Sequence, residues 1–178
     1  ASSSDSGWSS SLEFQTSPSS GNLSAAAWIG GGSEVSTDWD VLSTDVTVTR
    51  ARAFASGVGA FELQCNGNKV GDHWMDPGQA VYDQKVLYVA FDLMPCFSLQ
   101  LQQQAVIPTS SSTKTQISAK IGNGKWGYLD MYANRTQKGD QSGDATRAFI
   151  LYAFAELSNG TIVELLTSAE AWSYRHGP

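Results

Sequence analysis

The sequence predicts an all-β protein, an antiparallel β-sandwich or jelly roll of about nine or ten strands. Apolar and polar residues alternate with a period of two in most of its longer segments. Glycine, proline and asparagine recur at short intervals between these segments, as turns require. Helical spacing is weak, and "IVELLTSAEAW" near the end is the one ambiguous segment. These observations favour two packed layers of strands, each burying one face.

The strands can be placed in chain order from their alternating faces. The clearest of them are "VTVTRARAF", "FELQC", "VLYVAFDLM", "CFSLQLQ" and "QISAKIG". Further strands are predicted at 12–16, 23–29 and 126–133. The apolar faces of the segments give a predicted core of Phe61, Leu63, Leu87, Val89, Phe91, Leu99, Leu101, Ile117, Ile121, Phe149, Leu151 and Leu166.

Two hairpins stand out. Asn159-Gly160 separates two apolar runs in "RAFILYAFAELSNGTIVELLTS". Both residues tolerate a positive φ, so the pair predicts a type I′ turn. A second hairpin is expected at Pro95, where "AFDLM" and "CFSLQ" flank a break.

The domain organisation is expected to be simple. A chain of 178 residues is long enough to bury one sizeable core without a metal. Residues 1–20 are rich in serine and predict a polar N-terminal arm, and residues 21–178 predict a single β-sandwich domain.

Composition and charge exclude several partners. The net charge of −6 argues against nucleic acid, whose phosphates attract clustered Lys and Arg. The longest apolar runs are far shorter than the roughly 20 residues of a membrane span. The low content of charged residues, 16%, suits an extracellular, secreted protein, or alternatively a virion or cell-surface assembly. A homo-oligomer or larger assembly is expected.

Motifs for catalysis are missing from the sequence. The chain has two histidines, His73 and His176, and it lacks nucleophile-elbow, zinc-protease and phosphate-loop motifs. The sequence therefore predicts a protein that is not an enzyme, with no cofactor and no metal. Paired carboxylates are the one catalytic route left open, and the candidates are Glu62, Glu156 and Glu164, which all fall in strand-like segments.

The loop "CNGNKVGDHWMDPGQ" carries the main binding hypothesis. Its turn residues surround Trp74, which lies beside Asp72, His73 and Asp76. An exposed indole next to carboxylates can stack on the apolar face of a sugar while the carboxylates bind its hydroxyls. The alternatives are that Trp74 closes the core as a lid, or that Asp72 and Asp76 hold Ca²⁺. A second segment is expected at the same end of the sandwich and adds Asn123, Lys125, Trp126 and Tyr128.

The cysteines and the glycosylation motifs leave alternatives open. Cys65 and Cys96 lie 31 positions apart and are either joined in a disulfide or buried as free thiols. Sequons for N-glycosylation occur at Asn22, Asn134 and Asn159, and they matter only in a secreted eukaryotic protein.

The sequence is compatible with three functional classes. The first is a non-catalytic, lectin-like carbohydrate-binding protein, favoured by six tryptophans, low charge and the loop aromatics. The second is a structural subunit of a viral capsid or extracellular filament, whose neighbouring subunit would order the Ser-rich arm. The third, ranked last, is a small glycan-active hydrolase with paired carboxylates.

Overall fold

A computed structural model describes residues 20–30, 32–41, 46–78, 80, 85–97, 114–122 and 147–176. Within these ranges the chain forms a short helix, ten strands and a second helical turn at 94–97. The elements are α1 (Ser20–Ser24), β1 (Ile29–Gly30), β2 (Glu34–Asp40), β3 (Val48–Val58), β4 (Ala60–Cys65), β5 (Asn68–Lys69), β6 (Val89–Asp92), β7 (Lys114–Gly122), β8 (Ala148–Leu157), β9 (Ile162–Leu166) and β10 (Ser173–Arg175).

The strands form two five-stranded sheets. Sheet A has the order β1-β8-β3-β6, and β9 also pairs with β8; sheet B has the order β10-β2-β7-β4-β5. All of these pairs are antiparallel. The predicted all-β antiparallel sandwich is confirmed.

Sheet A presents small side chains to the interior. In the register of β3 with β8, Ala53 lies opposite Ala153 and Ala51 lies opposite Ala155. These alanines and Ala55 are fully buried. Because alanine projects little from the sheet, these rows leave space between the layers for larger side chains.

Aromatic rings fill that space. Phe149 lies at the centre, with its ring centroid 5.2 Å from that of Phe61 and 6.1 Å from that of Trp172. Trp39 meets Phe97 edge-on at 5.9 Å. Such tilted and edge-on pairs add stabilisation beyond the area they bury.

Most of the predicted core is confirmed. The buried members are Phe61, Leu63, Phe91, Ile117, Ile121, Phe149 and Leu151, and Val89 packs against them. Leu87 was wrongly placed, since it precedes β6 and is exposed. Leu166 was also wrong: β9 turns Leu165 into the core, and Leu166 lies opposite Tyr152 on the outer face. Leu99 and Leu101 lie outside the described residues.

The local predictions had mixed outcomes. The hairpin at Asn159-Gly160 is confirmed, because β8 and β9 pair directly. Its type I′ turn is wrong, since Gly160 has a φ of 82° but Asn159 has no positive φ. The hairpin at Pro95 is wrong, because residues 94–97 turn helically after β6. The strand at 23–29 is wrong for its first part, which belongs to α1 and the turn after it.

Other sequence predictions fall where the structure gives no description. These are residues 1–19 of the N-terminal arm and the strands at 12–16 and 126–133. Across the described ranges, no helix is both long and apolar enough to cross a membrane.

The two neighbouring leucines of β9 give a direct test of its register. We expect Leu165→Ala to lower the free energy of unfolding by about 2–4 kcal/mol, because it opens a cavity in the core. Leu166→Ala, the matched control, should cost about 1 kcal/mol or less, since its side chain is only partly buried. Urea unfolding of both variants measures the difference, and a larger loss from Leu166→Ala would contradict the register.

Candidate functional site

The loop predicted to bind ligand begins at a tight hairpin. Asn66 and Gly67 have φ values of 49° and 76°, the pair of left-handed residues that a type I′ turn requires. The turn sets β5 beside β4, so that Lys69 lies opposite Gln64. The Val70 N–H then donates to the Leu63 carbonyl at 2.9 Å. The chain therefore leaves β5 along the edge of sheet B.

The base of the loop is fixed at two points. Gly71 has a φ of 77°, and a Cβ there would lie 3.4 Å from the Phe91 ring of the opposite sheet. Downstream, the Asp76 carbonyl accepts a hydrogen bond from the Phe61 N–H at 2.6 Å. The next residue, Pro77, follows a cis peptide bond and is buried. Only residues 72–75 project from this base.

The projecting tip is apolar and solvent-exposed. Trp74 is 79% exposed and Met75 is 71% exposed. The Lys69 ammonium lies 3.6 Å from the centroid of the Trp74 ring, within the range of a cation–π contact. Trp74 is therefore not a lid on the core. A planar ring has two faces, and an ammonium on one of them leaves the other for a ligand.

Charged groups flank the indole. The two imidazole nitrogens of His73 lie 3.7 Å from carboxylate oxygens of Asp72 and Asp76. The Asp72 side chain is 98% exposed, whereas that of Asp76 is 17% exposed. His73 therefore lies between the two carboxylates. The Ca²⁺ alternative gains no support, since no three His, Cys, Asp or Glu residues of the described chain come together in a metal-binding group.

The second segment predicted to bind ligand lies outside the described residues. It contains Asn123, Lys125, Trp126 and Tyr128. The described chain reaches Gly122, the last residue of β7, which lies opposite Ala60. Ala60 precedes Phe61, to which Asp76 is bonded. The base of the loop and the exit of β7 are therefore neighbours at one end of sheet B.

A second surface lies on the outer face of sheet A. A cavity of about 320 Å³ opens there between two partly exposed aromatic rings, Trp28 and Tyr88. Its lining consists of Leu23, Ser24, Ala26, Trp28, Ser56, Val86, Tyr88 and Ile150. The Ser56 hydroxyl donates to the Leu87 carbonyl at 2.5 Å and so fixes the rim. A mainly apolar cavity of this size can hold one small ring-shaped group.

A buried tyrosine, Tyr152, lies on the same outer face of sheet A. The Tyr152 hydroxyl donates to a Glu164 carboxylate oxygen at 2.7 Å, and its ring stacks on Phe54 at 6.3 Å. Burial raises the pKa of Tyr152 above 10.0, and the Glu164 hydrogen bond raises it further. An opposing hydrogen bond comes from Asn22, one of the three sequons. The phenol is thereby held in its protonated form.

Of the three carboxylates considered for catalysis, one lies on the opposite side of the sandwich from the other two. Glu62 lies on the outer face of sheet B, where it accepts a hydrogen bond from Gln64. Glu156 and Glu164 lie on the outer face of sheet A, on the other side of the sandwich. Neither lines the cavity between Trp28 and Tyr88. Of the other two sequons, Asn159 forms the exposed β8–β9 turn and Asn134 lies outside the described residues.

Sequence reasoning missed several participants. Lys69 was not chosen, although its place after an Asn-Gly turn would have set it near the loop. Trp28 and Tyr88 were missed because they are 60 positions apart and only the fold brings them to one cavity. The alternation of β3 and β8 does signal their outer apolar face, since Phe54 and Tyr152 fall between the inward alanines.

The chain resembles known glycoside hydrolases in sequence. The family model Alpha-L-rhamnosidase N-terminal domain matches residues 46–178. A relative from Formosa agariphila, an alpha-L-rhamnosidase, is 29% identical over 143 residues, which cover 77% of this chain and 13% of that protein. The chain thus spans about an eighth of the length of this relative.

Solved structures agree in fold. An α-L-rhamnosidase described as from Dictyoglumus thermophilum superposes with a TM-score of 0.59 at 25% identity, over 82% of this chain and 13% of that one. An Aspergillus terreus enzyme gives 0.54 at 17% identity, over 78% and 14%. A Streptomyces avermitilis enzyme, complexed with L-rhamnose, gives 0.54 at 18% identity, over 86% and 12%. The last two likenesses concern the fold alone.

These comparisons overturn the functional predictions. The prediction of a non-catalytic, lectin-like protein is wrong, and so is the prediction that the protein is not an enzyme, because the matched family and relatives are alpha-L-rhamnosidases. A capsid or filament subunit finds no support either. The family was missed because its likeness extends over residues 46–178 and is not concentrated in a short catalytic motif.

The Tyr152–Glu164 pair predicts a dependence of stability on alkaline pH. The pKa of Tyr152 is higher in the folded than in the unfolded chain. Tyr152 therefore makes its full contribution to folding stability below pH 10.0, and this contribution is lost as the pH rises through the pKa of the folded state. Tyr152→Phe should remove this component and cost about 1–2 kcal/mol at neutral pH. Melting temperatures between pH 7 and about pH 11 test it, with Tyr174→Phe as an exposed control. Parallel curves for wild type and Tyr152→Phe would contradict the assignment.

Proposed function

The chain belongs to the family of α-L-rhamnosidase N-terminal domains, and we propose that it is one domain of a longer glycoside hydrolase that releases L-rhamnose from α-L-rhamnosides. The observation that carries the proposal is the family match, which extends without a break over three-quarters of the chain. The alpha-L-rhamnosidase from Formosa agariphila supports it independently.

The positions of the carboxylates indicate whether this chain carries the catalytic residues of such an enzyme. Glycosidases hydrolyse their bond with two carboxylates a few ångströms apart across the sugar. Glu62 is separated from Glu156 and Glu164 by the thickness of the sandwich, and Glu164 is engaged by the Tyr152 hydroxyl. We therefore assign the catalytic pair to another part of the longer polypeptide.

The glycan is the partner that the loop at residues 72–75 fits. Trp74 offers an indole face on a rigid base, with Lys69 against the ring and the Asp72 carboxylate beside it. Rhamnose is a 6-deoxy sugar, so it presents a methyl group and C–H groups to an aromatic ring and hydroxyls to a carboxylate. In this proposal the loop contacts the glycan chain whose rhamnosyl end the enzyme removes.

The activity can be tested on the longer protein that carries this chain. We expect it to hydrolyse 4-nitrophenyl α-L-rhamnopyranoside, with release of nitrophenol followed by absorbance. The matched β-D-glucopyranoside should react more slowly by at least about a hundredfold, the discrimination that a sugar-specific pocket supports. Equal rates on the two substrates, or no hydrolysis of the rhamnoside, would overturn the proposed activity.

The role of the loop can be tested separately on the 178-residue chain. We expect Trp74→Ala to weaken binding of a rhamnose-terminated oligosaccharide by about ten- to a hundredfold, by analogy with the loss of an aromatic stacking partner. The melting temperature should change by no more than about 2 °C, because the ring is exposed. Titration calorimetry and thermal unfolding measure the two quantities.

Met75→Ala is the matched control for this experiment. Met75 is the adjacent tip residue and is almost as exposed as Trp74, but it has no ring face. Its substitution should leave affinity within about twofold, a change of roughly 0.4 kcal/mol. Equal losses from both variants would mean that the tip acts through general apolar contact and not through stacking. Unchanged binding by Trp74→Ala would remove the loop from the glycan site.

A further inference from the structure

The two cysteines of the chain lie in elements that belong to different layers. Cys65 ends β4 in sheet B, and Cys96 lies in the helical turn that follows β6 of sheet A. They are 31 positions apart and are the only cysteines in the sequence. Both belong to the hydrophobic core, with exposures of 3% and 6%.

Both cysteines are free thiols in the structure, and their side chains are close enough for Cys96 to be the main cause of the raised pKa of Cys65. The two backbones are held independently: Cys65 pairs with Ile117 across sheet B, and the Cys96 N–H donates to the Leu93 carbonyl at 3.0 Å. Leu93 is in turn bonded to Ala51 of β3. The approach of the two side chains is therefore a consequence of how the two layers pack.

We propose that Cys65 and Cys96 form a disulfide bond in the oxidised protein, covalently joining sheet B to the turn after β6. Two thiols brought together from separate layers have each other as the one intramolecular partner. The bond would close a long loop of the chain and restrict the unfolded state. It is independent of the proposed enzymatic role.

The oxidant required is a small-molecule disulfide, such as oxidised glutathione. One cysteine thiolate attacks a glutathione sulfur, forms a mixed disulfide and releases one glutathione thiolate. The second cysteine thiolate then attacks the protein sulfur of that mixed disulfide and releases the second glutathione. The protein loses two electrons and two protons, and the two glutathione molecules take them up as thiols.

The burial of the pair determines when this exchange occurs. The hydrogen bond from Cys96 and burial both raise the pKa of Cys65 well above its ordinary value, so little thiolate exists in the closed fold at neutral pH. A buried sulfur also excludes a glutathione molecule. The bond therefore forms during folding, before the sheets close, and a protein folded in its reduced form should remain reduced for long periods.

The test compares the chain refolded in glutathione redox buffer with the chain refolded in excess reductant. Under denaturing conditions, the first sample should be about 2 Da lighter, the mass of two hydrogens, and should take up no alkylating reagent. A non-reduced digest should contain one peptide pair linking Cys65 to Cys96. The oxidised protein should melt roughly 10 °C above the reduced one.

Cys65→Ala and Cys96→Ala provide the controls. Each variant should melt at the same temperature with and without reductant. The wild type should melt at a lower temperature when reductant is present. This comparison within each variant is unaffected by any cavity that alanine creates. Two alkylated thiols in wild type after oxidative refolding, or disulfide-linked dimers without the internal bond, would overturn the proposal. Since the mass measurement uses wild type alone, it remains decisive even where a variant fails to fold.

Discussion

The packing of alanine rows against large rings is the constraint on which the rest of the structure depends. Part of the inner face of sheet A is lined by small side chains that project little from the sheet. They are Ala51, Ala53 and Ala55 of β3 and the alanines opposite them on β8. Sheet B and the connecting turns fill the remaining space with Phe61, Phe97 and Trp172. Because close packing tolerates neither gaps nor overlap, this match of small and large side chains fixes the relative position of the two layers.

The position of the candidate loop follows from that packing. Phe61 is held in the core by Phe149, and its backbone N–H anchors the Asp76 carbonyl. Gly71 passes beside the Phe91 ring, and its φ of 77° disfavours any residue with a side chain there. The core thus fixes both ends of a short tip, and Trp74 is left in solvent with Lys69 against it. Recognition residues on a rigid scaffold can vary with little effect on folding.

The two outer faces of the sandwich differ in chemistry. On sheet A, Phe54 and Tyr152 are buried on the outer side, where the Glu164 carboxylate accepts a hydrogen bond from the Tyr152 hydroxyl. On sheet B, the corresponding side chains are polar, as with Glu62 and Lys120. The outer face of sheet A therefore carries buried rings among charged residues such as Arg52 and Glu156.

Local patterns in the sequence were enough to predict the fold class and the inward faces of "FELQC" and "QISAKIG". They also predicted the β8–β9 hairpin and the projecting loop around Trp74. Period-two alternation and turn residues act over a few positions, so these features can be predicted without the fold. Tertiary structure decided what those signals could not: Leu165 rather than Leu166 faces the core, since adjacent leucines give no alternation to fix the register. It also brought Lys69 to Trp74 and Cys65 to Cys96. Contacts between separate strands depend on how two sheets pack, and no local pattern encodes that distance.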